Sequence, residues 1–242
     1  MPIRFSILTI TLNAVKFLQE TLESTQQQTY PHVEHIVWDG GSTDGTCALV
    51  ERFRHVRLYR GQDRGIADAM NQLAQYATGD FLLFLHADDR LASRHALHYF
   101  ATAIQQYPTI EWLYGRASII DANHHTQRIT PIEPFTKKRL EKYNFLTHPA
   151  TVVSRALYER LGGFDTSLRY CMDYDLWLRA AQHTTPLALP TVVASFREHL
   201  GSLSTSSPKQ VADEAYRVRQ RYVHGWQRWR SYCTWKKRCR AL

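Results

Sequence analysis

The chain has 242 residues, 44% of them apolar, with 30 Lys and Arg set against 22 Asp and Glu. That length and composition fit one large globular domain, with or without an appendage, and exclude a disordered or fibrous chain; no stretch has the apolar length of a membrane span. The net charge of +8 belongs to residues 209–242, which carry ten basic and two acidic side chains, so the first 208 residues are balanced and their chemistry cannot be read from the charge.

In chain order, "RFSILTITL" reads as a β run, and Val15, Leu18, Leu22 and Thr25 then recur at helical spacing. "EHIVWD" is a second strand. The turn "GGSTDGT" follows, with Thr43 or Asp44 placed to cap a helix running through Phe53. "HVRLY" is a third strand; Ile66, Met70, Leu73 and Ala77 mark a second amphipathic helix, and "ATGD" turns into "FLLFLHADD". Five consecutive apolar residues, Phe81 to Leu85, suit a strand covered on both faces, so the acids Asp88 and Asp89 must stand beyond its end. Further on, "EWLYGRASII" is a strand, and residues 121–147 read as a long polar loop interrupted by Pro131 and Pro134 and carrying the basic "KKRLEK". "ATVVS" is a short strand, "RALYERLGG" a helix stopped by Gly162 and Gly163, and "DYDLWLRAAQ" another helix. "LALPTVVASFR" is a strand pair or one bent strand.

Strand alternating with helix predicts an α/β fold with a mostly parallel, doubly wound sheet, whose ligands bind beyond the carboxyl ends of the strands. Asp39 ends the second strand, and Asp88 and Asp89 follow the fourth, which places three carboxylates on one rim. Cys47, Cys171, Cys233 and Cys239 are scattered and form no CxxC pair, as expected of reduced thiols in the cytoplasm. The start "MPIRFSILTITLN" is too polar to read as a signal peptide.

The ordered set "SILTITLNAVKFLQETLES", "QTYPHVEHIVWDGGSTDGT", "GIADAMNQLAQYATGDFLLFLHADD", "GGFD" and "MDYDLWLR" resembles glycosyltransferase family 2, the inverting GT-A transferases, over residues 3–207. "DGGSTDGT" and "GIADAMN" are similar to bacterial members that build surface polysaccharides. The resemblance implies a GT-A domain over 1–207, with a nucleotide-sugar half at 1–120 and an acceptor and catalytic-base half at 121–207, followed by a basic aromatic helical tail at 208–242. It also implies a Mn²⁺- or Mg²⁺-dependent inverting transfer from a nucleoside-diphosphate sugar to a glycan or lipid-linked saccharide hydroxyl. Such a cation, held by oxygen ligands, neutralises the departing diphosphate.

"HADD" stands where the family has its DxD metal motif, which makes Asp88 the direct ligand and Asp89 a helper. His86 replaces the first acid of that motif and could donate to a phosphate or ribose. Asp39 corresponds to the acid that binds the nucleobase; a carboxylate accepts the imide N–H of uracil or thymine, favouring UDP or dTDP. Thr9, at the first strand's end, brings backbone groups near the base. Arg64 is a base or phosphate contact, and Asp68 either joins it or serves as a cap or ion-pair partner. His199, in "FREHLGSLS", falls where the family has a loop near the diphosphate and could touch metal or phosphate.

"CMDYDLWLR" resembles the family's ED-x-x-L-x-x-R segment, with Met172 in place of the Glu. Asp173 and Asp175 compete to be the general base; Asp175 and Arg179 lie one helical turn apart and can pair, which leaves Asp173 for the cleft. His148 precedes a strand expected beside the acceptor, and Trp38, Trp112 and Trp177 read as packing residues. The tail interleaves Trp226, Trp229, Tyr232 and Trp235 with Arg and Lys, the pattern of a helix lying on an anionic membrane surface. Nucleic-acid binding is the competing reading of that pattern and is not expected. The predicted location is cytoplasmic, peripheral on the inner membrane. A non-catalytic sugar-nucleotide or glycan-binding module is the alternative function, supported only by His86 and Met172.

Overall fold

The computed structural model of the chain describes residues 2–199, 201–223 and 235. Strands β1 (Phe5–Thr11), β2 (Val33–Asp39), β3 (Val56–Arg60) and β4 (Phe81–Phe84) alternate with helices α1 (Val15–Gln26), α2 (Thr46–Val50) and α3 (Ile66–Ala74). Then come β5 (Arg90–Leu91), α4 (Ala96–Gln106), β6 (Trp112–Ile120), β7 (Thr126–Ile129), α5 (Lys137–Lys142) and a 3₁₀ turn at His148–Ala150. The chain continues through β8 (Thr151–Ser154), α6 (Arg155–Arg160), α7 (Met172–Ala180), β9 (Leu187–Arg197), α8 (Leu203–Ser206) and α9 (Pro208–Gln220).

The strands form one sheet in the order β3-β2-β1-β4-β8-β6-β9-β5, with β7 paired to β6. The first four are parallel, as the βαβ alternation predicts. Beyond β4 the sheet is mixed: β8 is antiparallel to both β4 and β6, and β9 runs parallel to β6.

The apolar run of β4 is explained by its two faces. Leu82 and Phe84 enter a core with α3 and α7, whereas Phe81, Leu83 and Leu85 enter a second core with α4. A strand buried on both sides has no polar positions until it leaves the sheet. Trp112 and Trp177, both fully buried, stack at 5.7 Å in the first core.

Local signals explain where the structure departs from the predicted elements. The 121–147 segment is not a plain loop: "KKRLEK" is α5, started by the Thr136 hydroxyl accepting from Arg139 N, and β7 extends the edge of β6. Helix α2 ends at Val50, not Phe53, and starts after Gly45, whose φ of 92° only glycine adopts freely. Asp44 instead binds Thr46 N and reaches Val15 N at the first turn of α1, joining two helix starts. Strand β9 is one bent strand, its register with β6 shifting around Pro190. Helix α9 is not detached: Ala212, Glu214, Val218 and Arg219 are buried, so the packed body runs to Val223, past the expected boundary at 207.

Asp175 and Arg179 pair as their spacing predicts, Oδ2 to Nε 2.8 Å, but Asp175 is only 1% exposed and also accepts from Arg221 and Tyr222. It therefore belongs with buried pairs, whose rupture costs about 3–5 kcal/mol, and not with exposed helix pairs worth a few tenths.

Candidate active site

The carboxyl edge of β1, β2 and β4 carries three loops. Strand β1 ends at Thr11, so Thr9, expected at the strand end, is instead fully buried, donating to Leu85 O at 2.7 Å and contacting His35. Asp39 closes β2 and is 2% exposed. Its Oδ1 accepts from Gly41 N and Ser42 N, and its Oδ2 from the Thr11 and Ser42 hydroxyls at 2.9 and 2.5 Å. Although burial pushes its carboxyl up, these donors hold it below its ordinary value. Asp39 thus folds the "GGST" turn, with its own acceptor positions filled by the chain. Arg64 and Asp68 form an ion pair at 2.8 Å, and Asp68 also accepts from Arg64 N, as the ion-pair alternative for Asp68 predicts.

The turn after β4 is held by a residue that was not singled out from the sequence. Arg197, at the end of β9, has a guanidinium with no exposed surface. Its Nε donates to Asp88 O (2.9 Å), its Nη1 to Asp121 O (3.1 Å) and its Nη2 to Glu20 (2.7 Å), while its backbone N–H donates to Asp89 Oδ1 (2.9 Å). The guanidinium also lies 4.6 Å from the Phe17 ring, itself 5.0 Å from His199. A charged residue closing an apolar strand, "VVASFR", was the available signal.

This clamp sorts the two acids. Asp88 keeps a partly exposed carboxylate that meets His199 Nε2 at 3.1 Å. Gly201 N donates to His199 Nδ1, which leaves the ring proton on Nε2 and aims it at Asp88. Asp89 is 1% exposed, and its Oδ2 has no hydrogen-bond partner. Among the described residues no three His, Cys, Asp or Glu side chains form a complete cation cage. Mg²⁺-like cations, however, are held by one or two carboxylates together with substrate phosphates and water. The partly exposed Asp88 carboxylate and the unpartnered Asp89 oxygen beside it fit that demand.

Next to this turn lies a cleft of about 380 Å³ whose lining includes Asn144, His148, Asp173, Tyr143, Phe196 and Glu198. His86 joins the two regions, packing edge-on against His148 with ring centroids 5.0 Å apart. Burial lowers the pKa of both histidines. Asp173 enters from the first turn of α7, accepting from Tyr174 N at 2.7 Å and from the Asn144 amide at 3.2 Å. Burial raises its carboxyl from 3.8 to about 6, against the lowering effect of those two donors. Met172, where the family pattern has a Glu, is buried in the apolar core.

The profile of Glycosyl transferase family 2 matches residues 6–162. The chain belongs to glycosyltransferase family 2. It is 30% identical to a PGL/p-HBAD biosynthesis glycosyltransferase of Mycobacterium bovis over 213 residues, covering 85% of this chain and 81% of that relative. An uncharacterized glycosyltransferase of Haemophilus influenzae is 28% identical over 227 residues, covering 90% of this chain and 76% of the other. Among solved structures, S. aureus TarS 1–349 in complex with UDP-GlcNAc superposes with a TM-score of 0.74 at 20% identity, over 89% of this chain. The mannosyltransferase PcManGT from Pyrobaculum calidifontis, in complex with GDP-Man and Mn²⁺, gives 0.66 at 20% identity over 93%. The chain spans 65% of the TarS fragment and 66% of PcManGT. This family 2 transferase has the GT-A fold those structures share.

Proton binding by Asp173 stabilises the transferase fully below about pH 4, and that contribution is lost as the pH rises through about 6. Asp173→Asn, which keeps the shape without the charge, is expected to exceed the wild type in stability by about 2–3 kcal/mol at pH 8 and to match it near pH ~3.5. Urea denaturation at the two pH values measures this. The same difference at both would contradict an Asp173 whose ionisation the fold disfavours.

Proposed function

We propose that this transferase moves a sugar, with inversion, from a UDP- or dTDP-type donor to a saccharide hydroxyl, with Asp173 as the general base. The observation that carries the proposal is a half-buried carboxylate lining a cleft that the His148–His86 contact joins to the Asp88–Asp89 turn, its pKa raised to about 6. At neutral pH that group is ionised, yet it is more basic than an ordinary carboxylate, the condition for taking a proton from an attacking hydroxyl. Asn144 and Tyr174 N hold its two oxygens in place. The Asp175 alternative is disfavoured because both Asp175 oxygens are occupied by Arg179, Arg221 and Tyr222.

On the donor side, Asp88 is the proposed direct ligand of Mn²⁺ or Mg²⁺, with Asp89 and His199 as its neighbours in the site. A bound cation supplies charge neutralisation for the departing diphosphate. PcManGT carries Mn²⁺ with its sugar nucleotide, in keeping with this assignment. His86, a neutral imidazole by its lowered pKa, has an N–H to offer a phosphate or ribose oxygen. Asp39 is the proposed acceptor for the base's imide N–H, which there replaces one of the loop's own donors. Arg64, its side chain 81% exposed, is the proposed phosphate or base contact, oriented by Asp68, and Thr9 acts only by fixing β1 against β4.

The proposed acceptor is a glycan or lipid-linked saccharide, since Tyr143, Phe145 and Phe196 give the cleft the aromatic faces that sugar rings pack on. Peripheral attachment to an anionic inner membrane through 209–242 belongs to the same proposal. Apart from Trp235, whose ring stacks on Tyr216 of α9, the tail beyond Val223 lies outside the described residues. Co-sedimentation with anionic vesicles by the full chain, and not by a chain ended at Val223, is expected; equal binding by both would remove the membrane assignment.

For the base, Asp173→Asn should lower single-turnover transfer by ~10²–10⁴-fold at saturating donor while UDP affinity persists. Transfer by the wild type should fall as the pH drops below about 6, because the base must be deprotonated. A fully active Asp173→Asn variant would sink the assignment.

A further inference from the structure

Helix α9 makes contacts on both sides of Asp173 that the motif pattern did not predict. We propose that Glu214 is a positioning residue for the transfer step, acting from α9 through the start of α7; this rests on Asp173 being the base. Glu214 is 4% exposed, and its Oε1 accepts from Tyr170 N (2.6 Å), Cys171 N (2.7 Å) and Arg169 N (3.1 Å). Three successive N–H groups converging on one carboxylate make an anion nest. It stands immediately before α7, whose N-cap Cys171 offers no side-chain cap of its own. Asp173 is the second residue of that helix, so the nest fixes the turn that carries the base.

The same helix holds the opposite wall. Arg219, 5% exposed, donates to Lys142 O at 3.2 Å, two residues before Asn144, whose amide holds Asp173 Oδ2. Arg221 and Tyr222, just past α9, bind Asp175 one residue pair further along α7. Two buried, oppositely charged side chains of one helix thus set the two groups that orient the base. Buried charges are costly unless their partners are fixed, which makes such a pair sensitive to any loss of register.

Glu214 also acts through its charge. Desolvation is the main cause of the raised Asp173 carboxyl, and the negative charge of Glu214 adds to it. Along the cleft, Asp173 also faces Arg128, Glu133, Tyr143, His148 and Glu198. Behind it stand Cys171 and Arg219, which Glu214→Gln leaves in place.

The test measures single-turnover transfer against pH, and UDP affinity with Mn²⁺, for the wild type, Glu214→Gln and Asp173→Asn. Glu214→Gln is expected to move the acid limb below its wild-type position and to lower transfer at neutral pH by about tenfold or more, with UDP affinity unchanged. A wild-type limb and rate would overturn the proposal, as would a loss of UDP affinity equal to the loss of rate. Asp173→Asn separates the two readings: if it transfers normally, the base assignment fails, whatever Glu214 does. If Glu214→Gln does not fold, hydrogen exchange on the wild type decides. The amides of Arg169, Tyr170 and Cys171 are expected to exchange as slowly as the interior of α7, and exchange at coil rates would overturn the clamp.

Discussion

The site is organised by a guanidinium with no solvent-exposed surface. Arg197 ties the end of β9 to the turn after β4, to Asp121 after β6, and to Glu20 on α1. A lone buried charge of this kind is unfavourable by several kcal/mol, and it persists only because every side of the fork finds an acceptor and the Phe17 ring covers its face. The arrangement leaves Asp88 outward and Asp89 inward, so adjacent acids with the same chemistry sit in different environments. Lysine could not substitute, because a single ammonium cannot span three acceptors set in a plane.

The sheet's change of direction brings the loops that carry Asp39, Asp88 and Asp89 alongside the 3₁₀ turn that carries His148. Parallel strands β3-β2-β1-β4 deliver Asp39 and the Asp88–Asp89 turn to one edge, and antiparallel β8 brings the 3₁₀ turn with His148 back beside them. Helix α7 then projects Asp173 into the cleft from the side. The transferase gives up stability there: a carboxyl raised to about 6 is ionised at neutral pH in a site that disfavours the charge.

Periodicity made the first half of the fold legible, because each βαβ unit carries its own pattern and its turns are short. The acids at strand ends stood out because the strands before them have no polar positions. Less was legible after residue 120. Thr136 was one hydroxyl among many polar residues between two prolines, so α5 looked like loop. Arg197 and Glu214 resemble ordinary surface charges in sequence, and only long-range contacts across 109 and 45 residues give them their roles. Helix spacing marked Asp175 as the partner of Arg179, yet its contacts with Arg221 and Tyr222 come from a segment that the charge pattern assigned to a tail. Thr9 was placed two residues short of the rim because strand ends are the least defined feature of an apolar run.

In the proposed transfer, the Arg197-clamped turn presents Asp88 to a divalent cation on the diphosphate, beside the Asp173 cleft. Anomalous diffraction at the manganese edge, from crystals of the transferase grown with Mn²⁺ and UDP, tests it most directly. One strong peak is expected within coordination distance of the Asp88 carboxylate, with the Arg197 hydrogen bonds to Asp88 O and Asp89 intact. A bound UDP whose Mn²⁺ lies away from Asp88, or a turn that has left Arg197, would contradict it.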